Sequence, residues 1–597
     1  MPRRPRARKQ RPRVDDPYAE ARAGAHWAME YARRLADRHP PHHRVLIQTS
    51  MSPSGYFHVG NFRDTVCAHL VHRALRRMGR RSAILLSFDD YDPVRTGQAA
   101  RDPELAGHGG RPLGEHRERA ARICRTYLAE LRAMGILPPE ADEDGRTPPG
   151  GDWQTHYQYE RYRAGAYRTV QRRFQRDADR LAALLGKDDG RDLFAVYCLQ
   201  CGRNTTEIHR LDRRAARYRC LSCGAELTAR DPADVKPSWA LDWTLRVAHE
   251  SIDCEPAGQD HVSAGSTMDR TLPVYESYLG FPQPVIVPYG LVRAEQGSGK
   301  ISGSRGGGPY VRDLLAVHPV PLVLWLYARR DCLADLRLGF GPAAFLGAYE
   351  EFDRFARSAS GDGPGPERAR DRVLWELLTD EEPDGYGTLP RMRTVLGALY
   401  AHGCAPEAAR RHLAARHPRA DEPLLAERIG HALTWLTTHG RDRYWPASPQ
   451  APADSQAPAD PQAPADPQAP ADPQDSAAPQ ALASPQVPAN PQAPAAPQAP
   501  AASPLDPLID RLRTHTGPGA PHAGRTRAEF REIYGALFGT EHGPRLDTLA
   551  DVFGPAVLAD ALEAYRDRGE RPLCVELPAG ATDLRVPDLQ EAPSRAH

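Results

Sequence analysis

The stretch from Val45 to Asn61 constrains the fold of this chain most tightly. Val45-Leu46-Ile47 is a short apolar run, and such a run bounded by turn residues reads as a buried strand. Thr49-Ser50-Met51-Ser52-Pro53-Ser54-Gly55 follows as a turn, and from Val66 through Leu70, Val71 and Leu75 the apolar residues recur at helical spacing. A second strand, Ser82–Phe88, ends in Asp89-Asp90-Tyr91-Asp92-Pro93. Strand, glycine-bearing turn, helix, strand is the βαβ unit of a doubly wound sheet, whose ligands sit at the carboxyl ends of the strands. The helix opens with free N–H groups that favour an anion. His58 and Asn61 lie three apart at its start and can serve one ligand, while the acidic segment falls at the end of the next strand. The plainer readings are a histidine at an ordinary turn and a solvated strand end.

Two further stretches carry chemistry. Cys198-Leu199-Gln200-Cys201 and Cys220-Leu221-Ser222-Cys223 are separated by eighteen residues, the spacing of a zinc ribbon, and Cys198, Cys201, Cys220 and Cys223 are its expected ligands. Gly202 and Gly224 suit the tight turn that each knuckle needs. Four thiolates close a tetrahedral site, so the role is structural, with zinc contributing on the order of 10 kcal/mol. The alternative is a ribbon that has lost its metal. The other stretch is Gly297-Ser298-Gly299-Lys300-Ile301-Ser302-Gly303-Ser304-Arg305, a glycine-rich loop holding one of only four lysines (Lys9, Lys187, Lys236, Lys300) in an arginine-biased chain. It is not a Walker A loop, because Ala294 stands where the leading Gly belongs and Ile301 where Ser or Thr must follow.

Pro53-Ser54-Gly55-x-x-His58-Val59-Gly60-Asn61 resembles the HIGH signature of class I aminoacyl-tRNA synthetases, in the form found in class I lysyl-tRNA synthetases. The DDYD segment also has a counterpart in that family, and Lys300-Ile301-Ser302-Gly303-Ser304 is similar to its KMSKS loop. Gly303 departs from the pattern where many members carry a second lysine, and Arg305 stands two positions later as a substitute charge. The resemblance implies ATP binding through Pro53, Ser54, Gly55, His58, Gly60, Asn61, Lys300, Ser302, Ser304 and Arg305, with His58, Asn61 and Lys300 catalytic. Lys236–Trp243 and Glu255–His261 resemble segments that line the amino-acid pocket, with Val285–Tyr289 following as another strand. An ammonium substrate needs a carboxylate or an aromatic face, which Trp239, Asp242, His261 and Tyr289 offer. Core filling is the plainer reading of these aromatics. The implied cofactors are ATP and Mg²⁺ beside the zinc, and the implied partners are lysine and a tRNA.

The expected fold class is α/β: a Rossmann-type catalytic domain with an inserted zinc ribbon, followed by an all-α anticodon-binding region. Residues 1–24 read as a disordered basic arm and 25–94 as the first half of the catalytic domain. Residues 95–234 form the insertion, whose 95–150 stretch offers no firm sheet element and whose Tyr157–Leu185 reads as one long arginine-rich helix. A charged helix face is usually only solvated; against a tRNA it would supply phosphate contacts, which position rather than specify. The second catalytic half is 235–330, in which Pro321 opens a helix. Residues 331–446 read as the helical domain, wholly helical from Ala369 to His439. The Pro-Gln-Ala-Pro-Ala-Asp repeat of 447–503 cannot bury a core and reads as a linker, with a helical subdomain and tail in 504–597.

A net charge of +1 excludes a global basic field, and no apolar run is long enough for a transmembrane helix. Ten cysteines in 597 residues, four of them in CxxC pairs, fit a reducing compartment and a cytoplasmic protein. The sequence reading is thus a class I lysyl-tRNA synthetase. Its rivals are a paralogue using the aminoacyl group in another pathway and a catalytically weak tRNA-binding or regulatory protein.

Overall fold

The computed structural model describes residues 26–294, 309–361 and 366–440, together with 505, 508–510, 532–533, 536–537, 549–550 and 555–569. The chain forms two compact units, Met1–Gly440 with Glu576–His597, and Arg441–Val575. The basic arm, the proline-rich repeat and the Lys300 loop lie outside the described residues.

Helix α1 (Trp27–Arg38) leads into strand β1 (Val45–Met51), helix α2 (Val59–Arg77) and strand β2 (Ser82–Phe88). Every residue of β2 is buried, as an interior strand covered on both faces requires. β3 (Trp153–Tyr157) pairs with β2 in parallel, from Ile84 opposite Trp153 to Phe88 opposite Tyr157. The inserted segment then contributes β4 (Phe194–Val196), β5 (Thr206–Leu211), β6 (Ala216–Cys220), β7 (Glu226–Ala229) and β8 (Val235–Pro237). β5, β6 and β7 form an antiparallel ribbon, and β4 pairs with β8. The chain returns to the main sheet with β9 (Cys254–Gly258) and β10 (Val285–Tyr289). The sheet order is β10-β9-β1-β2-β3, all parallel. The strands thus run outward from β1 on one side and then on the other, so the order reverses between β1 and β9. That is the position where ligands of doubly wound sheets bind.

On one face, Leu85 with Leu46 and Ile286 packs against Trp243 and Val247 of the helix Trp239–Glu250, and against Met268 and Tyr275. On the other face α2 lies across β1, β2, β9 and β10. A proline at the first turn opens the helix Val320–Ala328, as the sequence anticipates. The last part of the first unit is mostly helical, from Pro342–Ser360 to Glu422–Trp435. There the buried Phe352, Trp375 and Tyr386 cluster, and Arg428 and Asp353, 3% and 1% exposed, form a buried ion pair at 2.7 Å. In the second unit, the helix Pro555–Arg568 buries Leu558, Ala559, Ala561, Leu562 and Ala564.

Four expectations need correction. Tyr157 does not start a helix: it ends β3, so the main sheet takes a strand from the stretch assigned to the insertion. The arginine-rich stretch is not one helix but three, Gln158–Arg163, Arg168–Arg176 and Ala178–Leu184. Gly165 breaks the first from the second by adopting φ +74°, a conformation costly to residues with a Cβ. Nor is its charged face merely solvated, since Arg161 pairs with Glu250, Arg163 with Asp234 and Arg168 with Asp231. Finally, residues 331–446 are not free of strand: β12 (Leu336–Leu338) pairs in parallel with β11 (Val292–Ala294), tying that segment to the end of β10. Within 95–150 the sequence also hides a buried-faced helix, Arg117–Ala133.

Candidate active site

A cavity of about 410 Å³ opens at the carboxyl ends of β1, β9 and β10. Its wall on the β1 side is the turn and helix start that contain Ser54, Gly55, His58, Gly60 and Asn61. Opposite are Gly258, Asp260 and His261 after β9, and Tyr289 at the end of β10. The turn is held from behind by Arg119, which donates to the Pro53 and Ser54 carbonyls and pairs with Asp102 at 2.7 Å.

The start of α2 orients its histidine by a reciprocal cap. His58 Nδ1 accepts the Gly60 N–H at 3.0 Å, and Asn61 Oδ1 accepts the His58 backbone N–H at 3.3 Å. An imidazole whose Nδ1 accepts carries its proton on Nε2, so the ring is set as a donor from that atom. Glycine at position 60 is a steric requirement, because a Cβ there would lie 2.7 Å from His58 Cε1. The Val59 N–H is taken by the Pro309 carbonyl at 3.1 Å, and Val292 of β11 lines the cavity. Both described flanks of the segment carrying Lys300 therefore border this site; Lys300, Ser302, Ser304 and Arg305 themselves lie outside the described residues.

Beneath the cavity, Arg63 of α2 is 1% exposed and donates to the carbonyls of Gly290, Cys332 and Ala334 at 2.7, 2.8 and 2.9 Å. It fastens the helix that bears His58 to the chain leaving β10. Asp64 accepts from Thr49 Oγ1, and from Tyr289 Oη at 3.0 Å. Burial pushes its carboxyl up to about 7, although both hydroxyls oppose the shift. Glu255 of β9, bonded by Trp243 Nε1, is raised by burial to about 8.

The acidic segment after β2 is not a solvated strand end. Asp89 is buried and bonded to Arg246 at 2.5 Å. Asp90, pushed up to about 7 by burial, accepts the Tyr159 N–H at 2.6 Å, and Tyr91 stacks on Tyr162 with ring centroids 4.4 Å apart. Lys236 Nζ lies 3.0 Å from Asp242 and 3.2 Å from Asp92, above the rings of Tyr91 and Tyr162. Burial works against the lysine's charge, but Asp242 and Asp92 outweigh it and raise its pKa. A second cavity of about 370 Å³, sharing Ser52, Ser54 and Arg95 with the first, is lined by Asp92, Asp192, Lys236 and Trp239.

The sequence candidates thus separate. His58, Asn61, His261 and Tyr289 meet at the first cavity, and Trp239 borders the second. Asp242 lines neither: it is 3% exposed and engaged by Lys236, by Arg246 at 3.6 Å and by Tyr162. Sequence reasoning missed Arg63, Arg95, Arg246 and Asp260. Arg63 and Asp260 stand beside motif residues, and that adjacency was the one available signal; Arg246 carries none, because its partner Asp89 is 157 positions away.

Away from the cavities, the four sulfurs of Cys198, Cys201, Cys220 and Cys223 lie within 4.8 Å of one another. Cys198 and Cys223 are 3.8 Å apart, and Cys201 and Cys220 3.6 Å. Ligands at 2.3 Å in a tetrahedron stand about 3.8 Å apart, so the set fits a four-thiolate metal site. Gly202 and Gly224 have φ of +74° and +73°, the turn each knuckle needs.

The profile of the family described as tRNA synthetases class I (K) matches residues 25–123 and 149–381. The chain is 29% identical over 350 residues to the lysine–tRNA ligase of Thermococcus kodakarensis, covering 56% of this chain and 64% of that protein. It is 28% identical to those of Pyrococcus furiosus, over 60% of this chain and 69% of that one, and Borreliella burgdorferi, over 56% and 64%. The match therefore spans just under two thirds of the first relative's length. With the profile matching more than half of its residues, the chain belongs to the class I tRNA synthetase family.

Proposed function

We propose that this chain is a lysine–tRNA ligase. It joins lysine to ATP as lysyl-adenylate and then passes the lysyl group to tRNA. The observation that carries the reading is the cavity at the sheet's reversal point, where the capped His58 and Asn61 face Asp260, His261 and Tyr289. Relatives that bear the name lysine–tRNA ligase support the choice of amino acid.

In the first step a lysine carboxylate oxygen attacks the α-phosphorus of ATP, the bond to the bridging oxygen breaks, and pyrophosphate leaves. In the second a terminal tRNA hydroxyl attacks the lysyl carbonyl and AMP leaves. Neither step needs a protein nucleophile, so the chain contributes positioning and charge. His58 donates from Nε2 and Asn61 from its amide to the triphosphate, at a helix start that favours an anion. Pro53, Ser54, Gly55 and Gly60 shape the backbone around the nucleotide. Lys300, with Ser302, Ser304 and Arg305, meets charge that develops on the leaving phosphates; this role rests on the sequence resemblance and on the flanks that border the cavity. Mg²⁺ supplies further neutralisation of the triphosphate. Trp239, His261 and Tyr289 hold the amino acid, while Asp242 acts indirectly by holding Lys236. The counter-charge for the substrate ammonium comes from carboxylates that line the cavities, Asp260, Asp92 and Asp192. Zinc in the four-cysteine set stiffens the inserted ribbon, and the reduced thiols it needs agree with a cytoplasmic location. The helical region after residue 342 serves as the anticodon-binding part in this reading.

Lysine-dependent exchange of labelled pyrophosphate into ATP tests the proposal, run with and without a lysine tRNA. Exchange that requires lysine supports it. Exchange with another amino acid alone would keep the enzyme and overturn the substrate. Absence of exchange with every amino acid, while tRNA still binds, would make the chain a tRNA-binding protein instead.

A further inference from the structure

Among the described residues, Arg95 is the one residue of fixed positive charge that lines both cavities. The other arginine or lysine at either cavity is Lys236, whose charge Asp242 and Asp92 take up at 3.0 and 3.2 Å. The Arg95 side chain is exposed and, among the described residues, has no ion pair or hydrogen bond. Its backbone is held firmly. The Arg95 carbonyl accepts the N–H groups of Gln98 and Ala99 at 3.0 and 2.9 Å, which opens the short helix Thr96–Ala99. Gln98 Nε2 in turn donates to the Ser54 carbonyl, which Arg119 also holds. On the other side, the Val94 N–H bonds the Arg111 carbonyl and the Val94 carbonyl accepts the Gly110 N–H, both at 2.8 Å. A free guanidinium is thus mounted on a braced segment beside Ser52 and Ser54, the turn residues that the two cavities share.

We propose that Arg95 is a further catalytic residue, whose guanidinium binds the α-phosphate in both steps of the reaction. The inference rests on the lysine–tRNA ligase reading. In the first step a lysine carboxylate oxygen bonds to the α-phosphorus, the bond to the bridging oxygen breaks, and its electron pair leaves with pyrophosphate. In the second the tRNA hydroxyl oxygen bonds to the lysyl carbon and the carbon–oxygen bond to the phosphate breaks. AMP leaves with that electron pair and takes the hydroxyl proton on a phosphate oxygen. The α-phosphate is the one phosphate common to both steps, electrophile in the first and leaving group in the second. With nucleotide and amino acid in the first cavity and the tRNA end entering by the second, that group sits where the two meet, which is where Arg95 stands. Its planar fork matches two phosphate oxygens, and its charge persists at any working pH. The need for a cation there is plain. Asp260, Asp92 and Asp192 line the same cavities and would repel a phosphate that met no opposite charge. Those carboxylates suit the substrate ammonium, and Arg95 suits the anion.

Arg95→Gln and Arg95→Lys in the full chain test the assignment through two rates. One is lysine-dependent pyrophosphate exchange in the presence of a lysine tRNA; the other is lysyl transfer to that tRNA from added lysyl-adenylate. Arg95→Gln should lower both by on the order of a hundredfold, the scale of losing one donor aimed at developing charge. The loss should fall in kcat, with KM for lysine within a few-fold of wild type, and Arg95→Lys should recover part of both rates. Thermal unfolding should stay unchanged, because the side chain is exposed and unbonded among the described residues. A loss confined to transfer would put the guanidinium on a tRNA phosphate, and a loss confined to KM for lysine would put it on the lysine carboxylate. Either result overturns the proposal. So would both rates staying within a few-fold of wild type, which marks a solvated arginine. A wild-type chain without lysine-dependent exchange fails before any variant is compared, and then the ligase reading falls and this proposal with it.

Discussion

Gly60→Ala separates the site's chemistry from its stability. The new Cβ would stand 2.7 Å from His58 Cε1 and 2.8 Å from Nδ1, where ordinary contacts begin at 3.4 Å. The ring must therefore move by some tenths of an ångström or rotate, which breaks the Nδ1 bond to the residue 60 N–H. Losing a cap of this kind costs about 1 kcal/mol. Alanine in place of glycine near a helix start returns up to about 1 kcal/mol in backbone entropy. Net stability should thus change by about 1 kcal/mol or less, a few degrees in melting temperature. Activity should not escape so lightly. Misplacing a donor aimed at developing phosphate charge costs about 3 kcal/mol, on the order of a hundredfold or more in rate. Lysine-dependent pyrophosphate exchange and thermal unfolding, measured on the same preparation, check the two halves. In a double-mutant cycle Gly60→Ala should add little to His58→Ala, because both act through the same ring. Exchange within a few-fold of wild type, or full additivity with His58→Ala, would refute the reasoning.

Lys300→Ala should lower exchange by roughly a hundredfold while leaving thermal unfolding unchanged, as expected of a group that meets charge only in the transition state. Purified protein should hold one zinc per chain, and Cys220→Ser should lose it along with the ribbon's resistance to proteolysis, read by metal analysis and limited digestion. Glu255 links stability to pH: its carboxyl rises from 4.5 to about 8 on folding, so its contribution is intact below the unfolded value and is lost as pH climbs toward the folded one. Glu255→Gln should therefore be progressively more stable relative to wild type between pH 5 and pH 8, and a constant difference in denaturation midpoint would contradict this. Arg428→Met strands Asp353 as a buried charge and should cost about 3–5 kcal/mol by denaturant titration.

The local features of the fold could be read from the sequence because near neighbours decide them. The apolar runs at Val45 and Ser82 become β1 and β2, and the glycines after each CxxC take the left-handed turn because short-range sterics dictate it. The His58 and Asn61 cap spans four residues, so the motif carries its own geometry. Long-range choices could not be read in this way. Which strand lies beside β1 depends on the burial of whole faces, so the reversal point and its cavity exist only once β9 pairs there. The hydrogen-bond partners of Arg63 are 227 to 271 positions distant, so its place beside the motif marks it as near the site without showing what it binds. Trp239 and Asp242 sit three apart on one helix, yet one is 39% exposed beside a cavity and the other is closed in by Lys236 and Arg246. A buried charge is settled by whichever opposite charge the tertiary fold delivers to it, and spacing along the chain holds no record of that partner.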